Sequence, residues 1–116
     1  MSLNTSRLDA TREAIQKHVP DESRQTQLLD MCDSYEAELK TLLENAETLQ
    51  NQLVELNADY DTPREDLEAV YADLNSLLKR MGEKAQEYSL KARAICSAEE
   101  WSKITKSNAP AFQFRF

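Results

Sequence analysis

From Leu28 to Tyr60 the chain places Leu28, Cys32, Tyr35, Leu39, Leu42, Ala46, Leu49, Leu53, Leu56 and Tyr60 at spacings that alternate four and three without a break. That alternation is the heptad repeat of helices packed along a seam. A strand would carry its apolar residues every second position, so this stretch is a helix, and its apolar stripe needs a second element to cover it. Leu29, Met31, Leu43 and Val54 stand beside the stripe. They widen it past the seam of a two-stranded coil, which favours a bundle with more than one neighbour.

The covering element follows directly. Asn57-Ala58-Asp59-Tyr60-Asp61 ends the seam, and Thr62-Pro63-Arg64-Glu65 reads as a helix start, with Thr62 as N-cap, Pro63 in the first turn and Glu65 closing a capping box. The next helix repeats the pattern through Leu67, Val70, Leu74, Leu77 and Met81, then steps four to Ala85 before Tyr88, Ala92 and Ile95. One extra residue thus enters the heptad at Gly82, which relaxes the supercoil locally. A glycine inside a helix costs about 1 kcal/mol against Ala, so Gly82 is expected to mark a bend or a close helix crossing. A loop this short between helices of about 50 Å each forces them antiparallel.

Shorter helices flank the pair. Ser6 to His18 carries Leu8, Ile15 and Val19 on one stripe and stops at Pro20, and Pro20-Asp21-Glu22 supplies a first-turn proline and two acids for the long helix after it. Ser97-Ala98-Glu99-Glu100 is a second capping box, opening a helix that bears Trp101 and Ile104. Phe112, Phe114 and Phe116 then alternate with polar residues, a period of two that reads as extended. The expected fold is all-α: a long antiparallel helical hairpin with short flanking N- and C-terminal helices, completing a four-helix or a dimeric bundle. Helices are placed at 6–18, 21–57, 63–95 and 98–106 within a single domain, 6–107, preceded by a disordered leader at 1–5 and followed by an extended aromatic tail at 108–116.

Charge restricts the partners. The net charge is −7, and residues 21–68 hold 14 Asp/Glu against Arg24, Lys40 and Arg64, while residues 79–116 hold 8 Lys/Arg against 4 acids. Nucleic acid is not an expected partner, since binding its phosphates takes clustered cations. Lys79, Arg80, Lys84, Lys91 and Arg93 form the only basic cluster, best read as a solvated helix face paired with the acidic helix beside it. No apolar run approaches the roughly 20 residues that cross a bilayer. The expected location is periplasmic if the short Met1-Ser2-Leu3 leader replaces a removed signal peptide, and otherwise cytoplasmic.

Catalysis, cofactors and metals find little support. His18 is the single histidine, which excludes a histidine-based triad and a two-histidine zinc site within one chain. One glycine cannot build a phosphate-cradling loop. Asp59, Asp61 and Glu65 at the hairpin tip lack the further oxygen ligands and the turn glycine of a calcium loop. The exposed carboxylates stay ionised and do no acid–base work without burial. Neither enzyme activity, nor a cofactor, nor a small-molecule substrate is expected.

The hairpin turn pairs position i with about 120 − i or a little more, so Cys32 faces positions 88–90 and Cys96 lies about 9 to 12 Å further along the axis. A disulfide tolerates about 7 Å. Cys32 is therefore a small core residue, and Cys96, at a helix end, is the better candidate for an exposed thiol or an intermolecular bridge. Trp101 and Ile104 carry two readings, packing onto the open end of the hairpin or contact with a partner. Phe112, Phe114 and Phe116 either dock in a groove of this chain or a second copy, or bind something else.

A short helix, two long antiparallel helices and a short helix opened by Cys96-Ser97-Ala98-Glu99-Glu100-Trp101 resemble the Spy/CpxP-type family of periplasmic helical chaperones and stress sensors. That family opens a helix with Leu-Thr-x-x-Gln, and Cys96, Ser97 and Glu100 stand at its Leu, Thr and Gln positions. Val19-Pro20-Asp21-Glu22-Ser23 does not match the family's other copy of the motif, and the His/Met richness of its metal-sensing members is missing. The resemblance implies a periplasmic dimer that offers a curved surface to unfolded or envelope proteins. The residues themselves lead to a non-enzymatic helical protein-interaction module, expected as a homodimer, with Trp101, Ile104, Phe112, Phe114 and Phe116 as candidate partner-binding residues. The alternatives are a structural coiled-coil subunit of a larger assembly and a small-ligand or metal sensor.

Overall fold

A computed structural model describes residues 6–106, with side chains from Leu8 onward. It contains four helices, α1 (Ser6–His18), α2 (Glu22–Ala58), α3 (Arg64–Ile95) and α4 (Ala98–Lys106), and no strand among the described residues. The long helices α2 and α3 form the antiparallel hairpin, α1 packs on α2, and α4 packs on α1. The result is a rod of 60 × 21 × 21 Å. Residues 1–5 and 107–116, on which the expected leader and the expected tail at 108–116 with Phe112, Phe114 and Phe116 fall, lie outside the described residues.

Two helix starts differ from expectation in how they are capped. Pro20 is not in the first turn of α2: Asp21 is the N-cap, and its carboxylate accepts from the Arg24 amide at 2.9 Å. An acceptor side chain at the cap satisfies a free amide that a proline there would leave open. At α3 the Thr62–Glu65 box does not form. Pro63 is the N-cap with no side-chain hydrogen bond, and Asp59 organises the turn, its Oδ1 accepting from the Asp61 amide at 3.0 Å and its carbonyl from the Thr62 amide at 3.1 Å. Gly82 sits inside α3 with nothing within 4 Å of where a Cβ would stand, so it marks open space and no close crossing.

The core fills one half of the rod. Leu8 and Ile15 of α1, Val19 just after it, Leu28, Cys32, Tyr35 and Leu39 of α2, Met81, Ala85, Tyr88 and Ala92 of α3, and Ile104 of α4 are buried together. Tyr35 and Tyr88 meet across the hairpin with ring centroids 5.1 Å apart and planes inclined by 44°, within the range of favourable tilted aromatic pairs. Their numbers add to slightly more than 120, as the turn position requires. This four-helix half is termed the base. Beyond Ala46 and Leu77 only α2 and α3 continue, and that two-helix half is termed the arm.

Candidate partner-binding face

At the base, local sequence and long-range packing converge on Glu100. The capping box forms as expected, with the Ser97 amide donating to Glu100 Oε1 at 2.8 Å and the Glu100 amide donating to Ser97 Oγ at 3.2 Å. The same carboxylate takes both arms of the Arg24 guanidinium, Nη1 on Oε1 and Nη2 on Oε2 at 2.9 Å. Arg24, then the Ser97 amide, holds the Glu100 carboxyl down at about 2. Glu100 is buried, so it closes the base and is not offered to solvent chemistry.

In the arm the same heptad continues without cover. Leu49, Leu53, Leu56, Leu67 and Leu74 occupy seam positions yet are only half-buried, because a facing pair of helices shields a narrow stripe and leaves its flanks wet. Val70 is the buried exception. Val54 and Tyr71 are exposed to 68 % and 47 %, far above what a closed apolar core would leave.

Helix geometry sorts the flanking residues onto two faces. A residue that follows a seam position is turned by about 100°, and because α2 and α3 run antiparallel, the followers on both helices fall on the same side of the hairpin. Residues that directly precede seam positions fall on the other side. Apart from Met31, Ala69 and Ala94, the preceding set is polar. Asn45, Thr48, Asp73, Ser76 and Arg80 line an open groove of about 370 Å³ with Leu49 and Leu77, and further down Lys84 pairs with Glu38 at 3.8 Å and with Glu87 at 3.4 Å. Lys91 adds a 2.9 Å pair to Glu87 and lies over the Tyr88 ring. Lys91 first, and Lys84 second, lower the Glu87 carboxyl.

The following set is more apolar and only partly covered. In the base, α1 lies on it: Leu29 packs against the core, and Arg12 of α1 bonds to Asp33 at 2.9 Å and to Glu36, as well as to its own neighbour Asp9 at 3.0 Å. Past the start of α1 the same face runs on through Leu43, Glu47, Gln50 and Val54 of α2, opposite Tyr71, Asn75, Leu78 and Gly82 of α3. Sequence reasoning noticed Leu29, Met31, Leu43 and Val54 as a widening of the stripe; Met31 precedes a seam position and falls on the other side. It did not join Tyr71 and Leu78 to Leu43 and Val54, because that requires knowing how the helices pair.

Of the residues expected to bind a partner, Ile104 lies in the core and Trp101 is half-buried against it. Cys32 and Cys96 are free thiols. Cys32 is fully buried and its thiol is pushed up to about 11 by burial. Cys96 is half-buried against the core instead of standing exposed, and burial raises its thiol as well, so neither is an activated nucleophile. Among the described residues no three His, Cys, Asp or Glu side chains cluster as metal ligands, and no helix is long and apolar enough to cross a membrane.

No family model, curated protein or solved structure matches this chain.

Proposed function

We propose that this chain is a non-enzymatic helical interaction module, anchored by its four-helix base and presenting the following-side face of its arm to a protein partner. One observation carries the reading: a single repeat is buried through the base and, Val70 apart, left half-buried along the arm, where only α2 and α3 continue. Val54 and Tyr71 stand exposed on one face of that stretch, and exposed large apolar residues that share a face favour a surface that another chain completes. A chaperone-like role toward unfolded or envelope proteins is the form of this reading that the Spy/CpxP resemblance implies.

A photo-crosslinking residue tests it. Placed at Val54, on the open face of the arm, it should give covalent protein adducts in cells; placed at Glu83, exposed on the base, it should not. Equal adducts at both positions, or none at either, would refute the assignment.

A further inference from the structure

The proposal rests on the arm being an interaction surface, and the chemistry of that surface goes on to define what fits it. Residues 41–76, which contain the arm, hold nine Asp/Glu and a single cation, Arg64. Arg64 is already paired with Glu68 at 2.7 Å. A second copy that pairs through the same face is a poor match: α1 stands on that face of the base, so the two copies would lie arm on arm, acid against acid. Like charges in that arrangement oppose association.

The molecule contains its own example of what does fit. On the covered stretch of this face the occupant is α1, an amphipathic helix whose Leu8 and Ile15 are buried while Arg12 reaches the acids Asp33 and Glu36. The uncovered stretch repeats those terms. Exposed Val54 and Tyr71 and half-buried Leu43 and Leu78 supply the apolar ground; along α2 Lys40 follows Glu36 on this face and Glu47 is the next acid, and Gly82 leaves open space at the end near α1. From Leu43 to Val54 the face runs for about 16 Å, three turns of helix. We infer that the open face of the arm binds a basic amphipathic helix from a different protein, laid end to end with α1, by apolar burial on Val54 and Tyr71 with its cations drawn by the arm's excess of acids, Glu47 among them on the face itself. Helix-in-groove recognition supplies the affinity, and the charge supplies salt dependence and partner choice.

The test uses the full chain and a fluorescein-labelled, 18-residue synthetic helix with leucines on one face and lysines and arginines on the other, read by anisotropy. A control peptide carries glutamates in place of the cations. The basic peptide should bind, with affinity falling several-fold between low and physiological salt, and the acidic peptide should not. Val54→Ser with Tyr71→Ser changes no charge and, by removing apolar burial, should weaken binding about tenfold or more. Ser76→Ala on the opposite face should leave it unchanged. Circular dichroism should show the helix content of all variants intact.

Equal binding of both peptides, or an unchanged affinity for the serine double variant, overturns the inference. So does light scattering that shows a dimer near twice 13.3 kDa dissolved by the double variant, since a second copy then covers the face. A rise in peptide affinity on deleting residues 107–116 would assign the face to the chain's own aromatic tail and overturn it as well. Protein adducts at position 54 without binding of the basic peptide reject the partner chemistry and leave the interaction module standing; absence of both rejects both.

Discussion

Glu100 on α4 and Arg24 on α2 stand 76 residues apart in sequence and form a two-pronged ion pair that ties the last helix to the start of the hairpin. Arg24 also donates to the carbonyl of Ile95, where α3 ends, at 3.3 Å, so one guanidinium joins α2, α3 and α4. The Glu100 carboxyl is held at about 2, below an ordinary value of about 4.3. A carboxyl with a depressed folded value contributes stability that is complete above its unfolded value and is lost as pH falls toward the folded one. The base should therefore loosen at α4 between about pH 4.3 and 2. Trp101, the only tryptophan, is the adjacent reporter, and its emission should shift to longer wavelength through that window. Glu100→Gln should abolish the acid step and lower the melting temperature at pH 7. An identical acid transition in the variant would place its origin elsewhere.

The two halves of the hairpin should answer differently to the same kind of substitution. Met81 is completely buried in the base, and Met81→Ala should cost about 2 to 5 kcal/mol through lost burial and the cavity left behind. Val54, exposed to 68 % on the arm, has little packing to lose, and Val54→Ala should stay within about 0.5 kcal/mol. Guanidinium unfolding followed by circular dichroism gives both values. Comparable losses would mean that the arm is covered in the isolated chain.

Gly82→Ala should stabilise the protein by about 1 kcal/mol. The position lies in the interior of α3 and a Cβ there meets nothing within 4 Å, so the substitution gains helix propensity and reduces the freedom of the unfolded chain without a clash. The sequence offered Gly82 as a bend or close crossing, and a destabilising Ala would restore that reading. The same denaturation curves decide it.

The hairpin was legible because its information is periodic: an unbroken alternation of fours and threes from Leu28, a turn at Asp59 to Pro63, and a second run from Leu67. The Ser97–Glu100 box could be read for the same reason, being local. What escaped was whatever depends on two helices meeting. Arg24 looked like an isolated cation in an acidic stretch, and nothing local marks it as the partner of Glu100. Thr62 looked like a cap because spacing alone cannot show that Asp59 organises the turn instead. Tyr71 and Leu78 fall on the same face as Leu43 and Val54 only once the antiparallel pairing is fixed, so the candidate face is a tertiary property of an otherwise readable pattern.

The two thiols should separate kinetically. Cys32 is fully buried and its thiol is pushed up to about 11, so at pH 8 it is overwhelmingly protonated as well as inaccessible, and only the thiolate attacks a disulfide reagent. Its modification should require opening of the base and accelerate with denaturant in step with global unfolding. Cys96 is half-buried where α3 gives way to α4. It should react sooner, through release of α4 alone, and Arg24→Ala should speed it by freeing that helix while leaving Cys32 protected. Each rate can be read with a chromogenic disulfide reagent on single-cysteine variants. If Arg24→Ala exposed both thiols together, α4 would be integral to the base core and not a separable clamp upon it.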